Sequence, residues 1–596
     1  MANVDFSRCL NCHASLDPFA GLPPADVAAA AGLDDSAGSA LQLAIKTRID
    51  ALAECIRTLN ERYNAASLIY RRLPPEILLQ IFAHVRPSRR RDIRLAHVSR
   101  AWRSLLLDCP FWADMLRFVV PSRKRPRPTS WFLTFLQRAA RNLFSMKLPL
   151  FSSVVLDAVG PYLSKVTKLD VVIPPAEVVS LFQMLQYGLP FLQSLSIQHL
   201  TYGTRTDVDP VHLESSLRSA HFTFDHLLSL RTLLVASWFF YPGMNLPGLR
   251  QLHVIDCQCG SHVCASMSDP AKTLAFLRNC PRLELLELYD YRTAQPTDKS
   301  LDAVALNQLQ DLSIHTNSAD AASHHLRSFA YPESVVIRVS TIGARTNSHG
   351  ERHFPVALLH NPAVQDADEV EIHCSQNRIM LSHSTRGVLR MELSADHNLC
   401  SGLEPEGSAD CFRDLLELLA TTTRSTTTLR IYETSGYVRQ VFFREPQIQI
   451  KMLLALFPSL TSLTLHHLAP TTYLRALEPL LNGEMLCSYI SALNIIWREP
   501  ESTAAIRESC EVMKAVCTKR SAAGSVLDVL DFTCASMRRF QPRMREEDQK
   551  DDVKEYLERF AVDLVGAVKQ VCVQTPDGYG ADMILREASE IFTQAW

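Results

Sequence analysis

The sequence predicts a mixed α/β fold that is helical at its start, alternates strand and helix over most of its length, and closes on a helix. Three observations carry this. Apolar residues from Ile45 to Tyr63 recur at steps of four and three, short amphipathic runs punctuated by prolines fill Leu73 to Trp112, and one phrase, Leu-x-x-Leu-x-Leu, returns at uneven intervals from about residue 130 to 535. The first two are helical periods. In the third, the last two apolar positions flank a polar one, as in a short half-buried strand.

Composition bounds the function. The 596 residues allow several domains or one long array, and 47% apolar residues supply ample core. Lys and Arg number 61 against 63 Asp and Glu, a net charge of −2. No global attraction to nucleic acid or an anionic membrane follows, so proteins are the expected partners. The N-terminus lacks the basic-then-apolar layout of a secretory signal, and no run of 18 apolar residues occurs. The 16 cysteines therefore read as reduced thiols of a cytoplasmic or nuclear protein.

Residues 1–40, rich in Ala, Gly, Asp and Pro, read as a disordered tail. Cys9-x-x-Cys12-His13 has the letters of haem attachment or half a zinc site, but no export signal and no two further ligands accompany it, so coincidence is the reading. Over 41–70, Ile45, Ile49, Leu52, Ile56, Leu59 and Tyr63 form a heptad seam on a helix. So few heptads favour packing within the chain; self-pairing and a spacer role are the alternatives.

Residues 71–118 follow. Pro74 and Pro75 suit the first turn of a helix, where their missing N–H groups have no partner to lose, and Glu76 complements the helix dipole. Ile77, Leu78, Ile81, Phe82 and Val85 make a broad apolar stripe. A second helix carries Leu95, Val98, Trp102 and Leu105 and stops at Pro110. A unit of about forty residues buries too little surface alone, so part of its apolar set must be covered by a neighbour or another protein.

These residues resemble the F-box. Its pattern of Leu-Pro-x-Glu-Ile, Ile-Phe, Val-Ser-x-x-Trp and Pro-x-Trp is met by Leu73, Pro74, Glu76, Ile77, Ile81, Phe82, Val98, Ser99, Trp102, Pro110 and Trp112. The arginine-rich insert from Arg86 to Arg91 stands where F-boxes often carry an acidic or polar loop. A heptad helix running straight into the box is similar to the layout of the large fungal F-box family. A plain helical hairpin with Trp102 as ordinary core is the alternative.

Residues 119–130 form a basic, proline-broken linker, which reads as a nuclear import signal or a solvated boundary. Over 131–540 the phrase recurs at Leu192–Ile197, Leu230–Leu233, Leu249–Val254, Leu283–Leu288, Leu309–Ile314 and Leu460–Leu465. Weaker copies lie at Val166–Val171 and Leu493–Ile495. Strand leucines 169, 195, 233, 252, 286 and 312 are separated by 26, 38, 19, 34 and 26 residues. This resembles a leucine-rich-repeat solenoid, irregular in period. An ordinary α/β fold is the alternative, without a glycine-rich phosphate loop. Residues 335–410 interrupt the array, with strands expected at Val335–Val339, Glu369–Cys374 and Val388–Leu393. Residues 541–596 read as a helical cap with a stripe of Leu557, Phe560, Leu564, Val568 and Val571.

No nucleotide, metalloprotease or nucleophile-elbow motif occurs, and no catalytic residue, cofactor or metal is expected. His253, Cys257, Cys259, His262 and Cys264 are zinc-ligand types, but Cys257-x-Cys259 is too tight for usual structural spacing. The resemblances imply a substrate-recognition subunit of a Skp-cullin-F-box ubiquitin ligase, which is not itself an enzyme. Carried over by position, Leu73, Pro74, Ile77, Leu78, Ile81, Phe82, Val98 and Trp102 face the Skp-type adaptor and, through it, a cullin. A protein target is expected on the polar strand positions Ser196, Gln198, His253, Glu287, Tyr289, Ser313, His315, Thr464 and His466. Such a receptor works by raising the local concentration of its target near the conjugating enzyme. The alternative is a non-catalytic interaction scaffold that uses the F-box outside ubiquitin transfer.

Overall fold

In a computed structural model the chain divides into two compact units, Met1–Val171 and Val172–Trp596. The structure describes residues 35–66, 72–84, 90–107, 111–120 and 128–585, apart from 175–176, 187, 200–226, 241–243, 256–269, 291–302, 343–353, 362–364, 376–377, 397–405, 423–424, 434–445, 468–470, 480–484, 498–502, 535–545 and 575–582.

The first unit opens on α1 (Asp35–Ala65), 31 residues long. It starts inside the stretch expected as tail, and its seam residues Ile45, Ile49, Ile56, Leu59 and Tyr63 are exposed. Among the described residues, then, the seam is left open to water except at half-buried Leu52. α2 (Pro75–His84) follows, then a 3-10 turn at Arg90–His97 and α3 (Arg100–Leu107). The single helix expected to carry Leu95, Val98, Trp102 and Leu105 is therefore two pieces. Ser99 divides them, because its Oγ accepts the Trp102 N–H at 3.1 Å and so caps a new helix start. Arg103 Nε then donates to the Ala96 carbonyl at 3.0 Å, tying the pieces together. Val85, Pro110 and most of the arginine-rich insert lie outside the described residues.

α4 (Phe111–Leu116) and α5 (Ser130–Ala139) complete the helical part. Phe111, Trp112 and Met115 pack with Phe132, Phe135 and Leu136, all essentially inaccessible to water. Trp112 lies 5.2 Å from Phe135, with the Arg138 guanidinium 4.3 Å over its ring. Strands β1 (Phe144–Leu148) and β2 (Val166–Ile173) then pair in parallel, Met146 opposite Leu169.

The second unit is built on one sheet. Its strands are β3 (Ser194–His199), β4 (Thr232–Ala236), β5 (Gln251–Ile255), β6 (Leu285–Asp290), β7 (Asp311–Thr316) and β8 (Val336–Ile342). Then come β9 (Glu369–Ser375), β10 (Arg378–Thr385), β11 (Val388–Asp396), β12 (Thr428–Glu433) and β13 (Ser462–His467). β14 (Ala492–Trp497), β15 (Leu527–Cys534), β16 (Val568–Gln574) and β17 (Met583–Leu585) finish it.

β3 to β8 are parallel neighbours in chain order, and so are β12 to β16. The buried leucines fall in register: Leu195, Leu233, Leu252, Leu286 and Leu312 are successive partners, as are Leu429, Leu463, Leu493 and Leu530. Many of the strands are entered through a turn in which an apolar residue's N–H bonds three residues back, as Leu230 to Leu227, Leu249 to Leu246 and Leu309 to Leu306, with Val335 and Ile490 in the same place before β8 and β14. One carbonyl per strand then accepts two N–H groups of the next: Arg231 O takes Arg250 and Gln251, and Arg250 O takes Glu284 and Leu285. Spacing varies between copies more than strand entry does, because the varying residues lie in the returns.

Between the two runs β9, β10 and β11 form an antiparallel meander placed in reverse. β11 lies beside β8 and β9 beside β12, both parallel, so β10 alone among these strands runs against its neighbours. The strands expected at Val335, Glu369 and Val388 occur within a few residues; β10 was not anticipated. His383 on β10 is fully buried opposite Val370 and Met391, and neither ring nitrogen has a hydrogen-bond partner. Burial lowers its pKa to about 4.

The C-terminal stripe is also corrected. The helix Glu546–Asp563 carries Leu557 and Phe560, but Gly566 at φ +94° turns the chain, and Val568, Val571 and Val573 are the inward positions of β16. Val571 and Val573 alternate as in a strand, and β-branched residues after a glycine favour it.

Candidate functional site

Two surfaces gather the residues singled out in the sequence. The first is α2. Pro74 O accepts the N–H groups of Ile77 and Leu78 at 3.1 and 3.2 Å, so the prolines start the helix as expected. One turn apart, Leu78 and Phe82 are 4% and 3% exposed and face α3, where the Trp102 ring meets Phe82. Ile77 and Ile81, also one turn apart, are 39% and 44% exposed. Pro74 and Val98 are exposed as well, and Leu73 and Trp102 are half-buried. Apart from half-buried Leu73, the expected contact residues thus split by physical role. Leu78 and Phe82 build the core, with Trp102 against them, and Pro74, Ile77, Ile81 and Val98 are apolar surface that water covers at a cost.

The second surface is the polar face of the sheet. His253, Glu287 and Ser313 are register partners on β5, β6 and β7, and Tyr289 is opposite His315 one step further along. The His253 ring pairs with the Glu287 carboxylate, which also accepts from Tyr289 Oη at 2.6 Å and lies 3.6 Å from His315 Nε2. Tyr289 and His315 stack at 4.3 Å. Burial acts to raise the Glu287 pKa, but hydrogen bonds from Tyr289 and His253 and the charges of His253 and His315 outweigh it and hold the carboxyl below its ordinary range.

On β9, the far strand of the meander, and on β12 and β13 a second group repeats this chemistry. Tyr432 stacks between His373 at 4.1 Å and His466 at 4.3 Å. Arg430 bridges Glu369 and Glu371 at 2.7 and 2.9 Å, and these carboxylates raise its pKa against the opposing effect of burial. Thr464 accepts from Asn494 at 3.3 Å. The two groups lie four strand spacings apart, about 19 Å from β7 to β9. Between them Arg338 pairs with Asp311 and lies 3.9 Å from Glu392, and the polar residues Ser340, Ser382 and Ser394 of these strands are buried.

The structure therefore brings His253, Glu287, Tyr289, Ser313 and His315 together and sets Thr464 and His466 in the second group. Ser196 and Gln198 lie on β3, where Ser196 is opposite Leu234, whose partner on β5 is His253. Arg338, Glu369, Glu371, His373, Arg430 and Tyr432 were missed, because their strands lack the Leu-x-x-Leu phrase; their only signal is polar-apolar alternation. Of the zinc-ligand types, His253 pairs with Glu287, and Cys257, Cys259, His262 and Cys264 lie outside the described residues. No helix among the described residues is long and apolar enough to cross a membrane.

Comparison with known proteins bears on the first surface. Residues 70–117 match the F-box-like family model. No curated protein matches the chain. The matched span contains α2, α3 and α4, supports an F-box protein, and suggests an adaptor-binding role, since F-box domains generally bind Skp-type adaptors and F-box proteins are generally non-catalytic.

Proposed function

We propose that this chain is the substrate-recognition subunit of a Skp-cullin-F-box ubiquitin ligase, binding the adaptor through α2 and its surroundings and a protein target through the polar face of the sheet. The observation that carries the reading is the exposure of Ile77 and Ile81 inside the F-box-like span, while Leu78 and Phe82 beside them are buried. A helix that already has a core and still presents two large aliphatic side chains has a surface to be covered by association. The leucine register and the repeated strand entry support a leucine-rich-repeat reading of the second unit. The polar rows then serve as its recognition face, and catalysis is left to the conjugating enzyme.

The test is capture of purified Skp-type adaptor and cullin by the full chain and by an Ile77→Asp, Ile81→Asp variant. Both positions are over a third exposed, so the variant keeps its circular dichroism. The wild type is expected to retain both proteins and the variant to lose them. Equal capture by both, or capture by neither, removes the proposal. Ubiquitin transfer to a bound protein by the reconstituted complex separates a ligase receptor from a scaffold.

A further inference from the structure

The heptad seam on α1 has no place in that reading. It spans three heptads of a helix about 46 Å long. Ile49 and Ile56 are each 59% exposed, and Ile45, Leu59 and Tyr63 are exposed too; Leu52 is half-buried. Glu61, an outer, f-type position of the repeat, pairs with Arg100 of α3 at 2.8 Å, and the half-buried residues of α1, Arg48, Leu52, Cys55 and Thr58, lie along the d, g and c edge of the seam. Five of the six seam residues stay exposed beside that edge.

We propose that α1 pairs with the same helix of a second copy of this chain as a parallel, two-stranded coiled coil. Three features select that occupant. With Tyr63 at an a position, Ile49 and Ile56 are also a, Leu52 and Leu59 are d, and Ile45 takes the first d, so the two central heptads carry Ile at a and Leu at d. Ile at a with Leu at d is the combination that fits two parallel strands, because β-branched side chains pack at a and unbranched-β leucines at d. Charge selects direction. An antiparallel pair matching all six apolar layers sets Arg48 of one helix against Arg62 of the other, while the parallel pair sets Arg48 beside Ala53 and Cys55 beside Asn60. Area permits it: six side chains per helix, each covering on the order of 100 Å², bring the pair above the roughly 1,000 Å² of a specific interface.

The dimer goes beyond the adaptor-binding reading and does not depend on it. Its consequence is a receptor presenting two adaptor surfaces and two recognition faces on one assembly, so that a target with two binding segments is held by avidity.

The experiment measures the mass of the full-length chain in solution by light scattering at tens of micromolar, a range in which short coiled coils associate. Wild type is expected at twice the chain mass of 66.9 kDa, and Ile49→Glu, Ile56→Glu at once that mass, with unchanged circular dichroism. Ile56→Cys is expected to give an oxidised covalent dimer above the wild-type background, and Asp50→Cys, on the outer face, not to do so. A monomeric wild type overturns the proposal and returns the seam to another segment of the chain. A dimer that survives the double glutamate variant overturns it by placing the contact elsewhere. A dimer lost in that variant but without the Ile56→Cys cross-link overturns the parallel register.

Discussion

The Phe82 ring meets Trp102 edge-on, with centroids 4.9 Å apart and planes at 68°. This contact joins α2 to α3 and decides which side of α2 is core. Phe82→Ala removes the ring and leaves a cavity, so it is expected to cost about 3–5 kcal/mol of stability in urea unfolding. Ile81→Ala, on the exposed side, is expected to cost under about 1 kcal/mol. Similar costs at the two positions contradict the division of α2 into an inner and an outer face.

His383 makes stability depend on pH. Its pKa falls from 6.5 in the unfolded chain to about 4 in the fold, because the buried ring has no partner for its charge. Between those values the unfolded chain binds more protons, so the contribution is complete above pH 6.5 and is lost as the pH falls toward 4. It amounts to about 3 kcal/mol at most. Unfolding followed from pH 7 to pH 4.5 is expected to show this loss, and His383→Leu to flatten it. An unchanged slope in the variant assigns the pH dependence to other groups.

Arg520 holds a turn from inside. It is 1% exposed, and its Nη atoms donate to Leu486 O at 3.3 Å, Cys487 O at 2.9 Å and Ser525 Oγ at 2.9 Å. Cys487 itself sits at φ +49°. Arg520→Met takes the side-chain donors from both carbonyls, leaving Cys487 O only the Ile490 N–H at 3.1 Å, and is expected to lower stability by about 1–3 kcal/mol. Thermal unfolding of that variant at wild-type temperature shows instead that the turn stands without the guanidinium.

Gly566 sets the passage from the last helix to β16. At φ +94° it has open space around an added Cβ, so Gly566→Ala tests the backbone alone. A loss of about 1–2 kcal/mol in denaturant unfolding is expected. No loss means that the turn is remade with negative φ at little cost.

The sequence made the helices of the first unit legible because a 3.6-residue period survives in short pieces: Ile77, Leu78, Ile81 and Phe82 are enough. It did not show where that stripe divides, since which of two adjacent apolar residues is buried depends on the position of Trp102. The leucine register was legible from spacing within each copy. The second polar group was not, because β9 and β12 bring Glu371, His373, Arg430 and Tyr432 together through a chain reversal that no local period encodes. Val568 and Val571 misled because steps of three and four continue across Gly566, and the glycine's positive φ is the stronger signal.

The reversed meander also governs the order in which the sheet can be assembled. Along the first run each new strand finds its neighbour already made, so a nascent chain can extend the sheet one strand at a time. At β8 this stops, because the strand beside it is β11 and two strands must be synthesised in between. β9, the first of them, has its parallel partner in β12, which is later still. A ribosome-bound chain ending near residue 375 therefore carries a strand with neither lateral neighbour in place, at the stage when an exposed edge is most open to misassociation.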